Sequence, residues 1–163
     1  MSSTTTLPDR SADRPAPRGG GGRVVFQVCR TLPIPTDEAW RRLVDWAGHA
    51  TWIPMTRVDV DPADPNRFVA WSGIGPVMLE DRMEAVEQHF DGASGRCRVL
   101  KLGPVLVGEA EFAVFPGLTP GSSVVQWRED VTVRRLPRFL TSVASVLGGR
   151  LFAGSLARMV RHG

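Results

Sequence analysis

The sequence predicts an α+β fold in which a curved antiparallel sheet of about seven strands wraps around a long C-terminal helix. Three observations carry this expectation. Seven short strand-like stretches are separated by turn signals, a helical segment interrupts them after the first, and the last apolar pattern, 136–161, has helical period. A sheet with one apolar face needs a covering layer, and only the terminal helix is long enough to provide it.

The elements follow in order. Residues 1–22 (MSSTTTLPDRSADRPAPRGGGG) are polar and rich in proline and glycine, and they lack the apolar stretch of a secretory signal. They are expected to be a disordered leader to a single domain, 23–163, in a cytoplasmic protein. The stretch 23–32 (RVVFQVCRTL) alternates apolar and polar residues as a strand does, and Pro33 and Pro35 close it. Thr36 is the expected N-cap of a helix carrying Asp37 and Glu38 in its first turn, with Trp40, Leu43 and Val44 on one face. Pro54 blocks further helix. Strands are expected at 55–60, 67–72, 77–87, 95–102, 105–115 and 122–133. In the terminal helix Leu136, Phe139, Leu140, Val143 and Leu147 form one apolar side, resumed by Leu151, Phe152, Leu156 and Val160. Gly148 and Gly149 interrupt it at a cost of about 2 kcal/mol relative to alanine, so a kink or a close approach is expected there.

Composition narrows the function. With 163 residues, 42% of them apolar, the chain can bury one core of its own, and no run of about 18 consecutive apolar residues is present. Cys29 and Cys97 have neither metal-ligand nor disulfide spacing and read as buried small hydrophobes. No cofactor and no metal are implied. The absence of tyrosine excludes a tyrosine general acid. From Arg134 to the end there are six arginines and no acid. Such a segment can be a solvated helix face or can meet an anionic membrane, whereas the lack of interleaved aromatics argues against nucleic acid. No transmembrane segment is expected; peripheral membrane contact remains open.

Alternation places side chains, because residues i and i+2 share a face and charges mark the wet one. Glu80, Arg82 and Glu84 point outward, which turns Leu79, Asp81, Met83 and Ala85 inward. By the same reasoning Cys97, Val99 and Lys101 face in, as do Leu106, Gly108, Ala110, Phe112 and Val114, and Val125, Trp127, Glu129, Val131 and Val133. Three inward residues are therefore ionisable: Asp81, Lys101 and Glu129. The expected register pairs Ala85 with Cys97, Cys97 with Ala110, Ala110 with Glu129, and Asp81 with Lys101. Glu129 would then look along a row of small side chains, with Gly108 one pair away and Trp127 and Phe112 closing one side, which leaves room for a cavity. Trp52 and Trp71 are further candidates to stack on an aromatic ligand, although core tryptophans are common. A buried Glu129 should titrate high and could move a proton, while Asp81 and Lys101 could equally be a structural cross-strand ion pair. His49 is expected at the surface. Gly73-Ile74-Gly75-Pro76 reads as a turn and not a phosphate loop.

The segments PTDEAWRRLVDWAGHATWIP (35–54), GIGPV (73–77), LEDRMEAVE (79–87), GRCRV (95–99) and SSVVQWREDVTV (122–133), with the terminal helix, resemble the polyketide cyclase/lipid-transfer (START-like, SRPBCC) superfamily, in particular its small stand-alone actinobacterial members. The resemblance covers 23–163 and implies a helix-grip fold. It also implies an internal cavity for a small lipophilic or aromatic molecule, polyketide-, lipid- or isoprenoid-like. Cyclase or dehydratase chemistry is one expectation and simple binding another, with Glu129 the sole catalytic candidate. The alternative is a non-catalytic protein- or membrane-interaction module that uses the basic C-terminal helix.

Overall fold

A computed structural model describes residues 21–74 and 76–162. Strand β1 (Gly21–Leu32) is followed by helices α1 (Thr36–Val44) and α2 (His49–Trp52), strands β2 (Thr56–Val60), β3 (Arg67–Ile74), β4 (Val77–Phe90), β5 (Gly95–Leu102), β6 (Leu106–Pro116) and β7 (Ser123–Arg134), a 3-10 turn (Arg138–Leu140), and α3 (Thr141–His162). The seven strands form one antiparallel sheet in the order β1-β7-β6-β5-β4-β3-β2, so β1 crosses over to pair with the last strand. This is the predicted helix-grip architecture.

Differences at the element ends have local causes. β1 begins at Gly21 because Gly21 and Gly22 pair with Arg134 and Val133, so two residues assigned to the leader are strand; the rest of the expected leader, 1–20, lies outside the described residues. At the start of α1, Pro35 occupies the cap position with extended backbone and Thr36 is the first helical residue, with no side-chain cap bond. Cys97 is buried as expected, whereas Cys29 is exposed on β1, opposite Gln126.

The expected inward residues do face in, but the register differs. Val86 forms a bulge in β4, and Ala85 pairs with Val99, Val99 with Ala110, and Cys97 with Phe112. The offset is two residues, which preserves the face of every side chain; a slip of one would have inverted them all. Ala110 pairs with Glu129 as expected.

One end of the inner face is filled. There Phe112 stacks on Trp127 at 5.0 Å, Trp46 stacks on Phe68 at 4.4 Å, and Trp40 lies over Phe90 at 5.6 Å. Ala85, Cys97, Val99 and Ala110 belong to this buried cluster with Leu43, Leu156 and Met159. The row of small side chains is thus packed rather than open along its length.

Helix α3 corrects the sequence reading most. It runs unbroken through Gly148 and Gly149, and the close approach is real: a Cβ on Gly148 would sit 2.7 Å from the Phe26 ring. Its small-residue face packs on β1, with Phe152, Leu156 and Met159 entering the core further along. The large side chains assigned to the core, Phe139, Leu140, Val143 and Leu147, together with Leu151, are exposed instead. The helix has two apolar faces, and small residues let the backbone come closer to the sheet than large ones could.

Candidate functional site

The three inward ionisable residues converge. Asp81 on β4, Lys101 on β5 and Glu129 on β7 are each buried, with 4 to 7% of their surface exposed. The Lys101 Nζ donates to Asp81 Oδ2 at 2.7 Å and lies 3.7 Å from Glu129 Oε2 and 3.5 Å from the Met83 sulfur. Register explains why the ammonium reaches both acids: Lys101 is directly opposite Met83 and Gly108, so Asp81 is its diagonal neighbour rather than its partner. Gly108 presents no side chain between Lys101 and β7. Its φ of 149° is rarely adopted by other residues, and a Cβ would strike the Asp130 carbonyl at 2.2 Å. Glycine is required there by the backbone.

Trp127 Nε1 donates to Glu129 Oε1 at 3.2 Å, while Asp81 Oδ1 is buried with no hydrogen-bond partner among the described residues. An unpartnered buried carboxylate oxygen costs on the order of 1 to 3 kcal/mol or more, and it marks where a donor is missing. Burial pushes the Glu129 carboxyl above its ordinary range, against the pull of Lys101, and the nearby Asp81 pushes it the same way. Burial alone would lower Lys101, but Glu129 and Asp81 outweigh it and hold the ammonium protonated, above its usual value. The site therefore offers an ammonium, a carboxyl whose proton affinity burial raises, and a bare acceptor within a low-dielectric surround.

His49 is a component that the sequence reading put at the surface. It is buried at 6% exposure, 4.6 Å from the Trp52 ring and 5.4 Å from Trp46. Its Nε2 lies 2.8 Å from the Leu43 carbonyl oxygen, which can only accept, so Nε2 carries a proton and donates it. Burial lowers its pKa to about 4, with the Lys101 charge acting in the same direction. The spacing of Trp46, His49 and Trp52, three residues apart, is the signal that could have revealed it.

The remaining candidates divide. Trp52 is in the core, and Trp127, Phe112, Val99, Cys97 and Ala110 are buried on the inner face. Met83 is half-buried beside Lys101. Trp71 is a correction: it turns to the outer face, where its Nε1 donates to Asp59 Oδ2 at 2.9 Å and Arg57 lies 5.8 Å above its ring. A hydrogen-bonding indole next to a charged pair is at home on the wet side. A groove of about 570 Å³ runs over β2, β3 and β4 with Asp59, Arg67, Val69, Arg82, Glu84 and Leu102 in its lining, outward side chains in the main. It is crossed by the Arg67–Glu84 ion pair and also reaches Phe68 and Met83 of the inner face, the latter with its sulfur 3.5 Å from Lys101 Nζ.

Burial along the inner face defines where access remains. The aromatic end is closed, but Leu79, Leu106, Gly108 and Val133 are only partly buried, as are Phe26 on β1 and Phe152 on α3. These residues lie toward the end of the sheet where β5 meets β6, β7 ends and the chain turns into α3. Phe26 and Phe152 pack against the buried cluster, and the others are the partly exposed apolar stretch of the sheet's inner face.

No family model matches the sequence and no curated protein does. Solved structures match closely in shape. A START superfamily protein from Mycobacterium smegmatis is 14% identical, with a TM-score of 0.67 over 84% of this chain and 97% of its own. The human StarD13 lipid transfer and protein localization domain is 13% identical, with a TM-score of 0.61 over 85% of this chain and 76% of that one. The di-domain ARO/CYC StfQ from the steffimycin biosynthetic pathway is 16% identical, with a TM-score of 0.59 over 86% of this chain and 50% of its own. The fold is START-like.

Proposed function

We propose that this chain binds a small lipophilic or aromatic molecule, polyketide-, lipid- or isoprenoid-like, in a cleft that opens between the sheet and α3. The observation that carries the reading is the Asp81–Lys101–Glu129 cluster, three charged-type residues buried on the apolar side of the sheet with Asp81 Oδ1 unpartnered. Burying such groups costs several kcal/mol per ion and is seldom the most stable solution for a core. Facing a ligand, the same groups give orientation: Lys101 donates to a carbonyl or hydroxyl oxygen, Glu129 exchanges a proton with the ligand, and Asp81 Oδ1 accepts from a hydroxyl. Leu79, Leu106, Phe26 and Phe152 supply the apolar walls. The lipid transfer domain and the ARO/CYC protein among the structural neighbours bear names that agree with this ligand class.

A catalytic version rests on the same site. A bound polyketone held against Lys101 would have a polarised carbonyl, and Glu129 could pass a proton during an intramolecular condensation or dehydration. Native mass spectrometry of freshly purified protein tests the binding step. The expected result is an added mass of a small apolar compound that is released on denaturation. Protein that emerges bare and also fails to take up phenylnaphthylamine would overturn the proposal.

A further inference from the structure

We infer that the outward face of α3 docks on an anionic lipid bilayer, a property independent of what the cleft binds. Phe139 is 80% exposed, Leu147 58%, Val143 and Val146 54%, Leu151 44% and Leu140 38%. Val143, Leu147 and Leu151 recur every four residues, so with Val146 they form one stripe on the side of the helix opposite Leu156 and Met159. Large apolar side chains gathered on one exposed helix face mark an interaction surface.

Charge decides the occupant. The segment carries Arg134, Arg135, Arg138, Arg150, Arg158 and Arg161 with no acid, and all six are exposed. The first three precede the stripe, Arg150 lies within it, and Arg158 and Arg161 continue the same face toward the C-terminus. A second copy meets this face badly. Side by side it would oppose arginine to arginine, and reversed it would set Arg158 and Arg161 on the other helix's apolar half. A bilayer with anionic headgroups satisfies both halves at once, because the apolar side chains enter about 5 to 10 Å while the guanidinium groups stay at the phosphates.

The segment Arg138–Arg161 is long and apolar enough to cross a membrane by length and composition. Packing decides for lying on the surface rather than spanning. Leu156 and Met159 are fully buried in the domain core, and a Cβ on Gly148 would strike Phe26, so the inner face is already committed to the protein.

Co-sedimentation of the full chain with vesicles tests the inference. The protein should bind phosphatidylcholine vesicles containing phosphatidylglycerol, lose that binding as salt rises, and leave vesicles of phosphatidylcholine alone in solution. Arg150→Gln and Arg158→Gln should each weaken binding about fivefold. Phe139→Ser with Leu147→Ser should abolish it while urea unfolding stays cooperative, since both side chains are exposed. Absence of binding at low salt, or equal binding to neutral vesicles, would overturn the inference. So would a concentration-dependent dimer in sedimentation velocity that Leu147→Ser dissolves, because the face would then belong to a second copy.

Discussion

Lys101 holds two buried acids, and its removal leaves them without a counter-charge. Lys101→Met is therefore expected to destabilise by about 3 to 5 kcal/mol, and adding Glu129→Gln to that variant should restore part of the loss. Urea denaturation of the two proteins checks the pair, and an additive double variant would show that the residues do not interact. His49 gives a pH dependence of definite sign. Its folded pKa of about 4 lies below the ordinary 6.5, so as pH falls from 6.5 to 4 the unfolded chain takes up a proton that the folded chain refuses. Stability should decline over that window by about 3 kcal/mol. His49→Asn should flatten this component of the pH profile. Glu129 has the opposite sense: its raised pKa means that stability from this group declines as pH rises from the unfolded value through the folded one. The inward direction of Asp81, Lys101 and Glu129 was legible from alternation alone. The Asp81–Lys101 ion pair was legible from the expected register as well, although it forms diagonally across the strands; that Glu129 joins it was not, because Lys101 reaches β7 only past Gly108, and no periodicity announces that.

At the scale of the element, α3 shows how a pattern can be read correctly and assigned to the wrong side. The helix was legible from its period, and the glycine pair did mark a close approach. What the period could not reveal is which of two apolar faces the sheet takes, since that choice rests on how near the backbone can come to Phe26. The two glycines make this testable with opposite signs. Gly149→Ala meets only an ordinary contact, Phe26 Cβ at 3.7 Å, and should stabilise by up to about 1 kcal/mol through helix propensity. Gly148→Ala must displace the Phe26 ring, itself 5.4 Å from Phe152, and overpacking of this kind costs about 1 to 3 kcal/mol. Thermal unfolding should therefore rise for the first and fall for the second. Two rises would mean that α3 stands off from β1. Strand β3 carries the same lesson in miniature, because Trp71 followed its neighbours' alternation to the outer face although its size suggested a ligand platform.

Across the whole molecule, the grip is divided along its length. Toward one end, Trp40, Trp46, Phe68, Phe112 and Trp127 pack in the core between sheet and helices. Toward the other, partly buried apolar residues approach the charged triad. A single cavity along Ala85, Cys97 and Ala110 was expected from the sequence; those residues are packed in the buried cluster instead, and the proposed ligand site lies nearer Leu79 and Leu106, which are only partly buried. Phenylnaphthylamine titration of Leu106→Trp, beside the wild type, tests this division most directly. Leu106 is only partly buried, so the larger ring should be accommodated with little change in urea midpoint while dye uptake is lost. A Leu106→Trp protein that is equally stable and takes up the dye as the wild type does would contradict a ligand site at the triad's end of the grip.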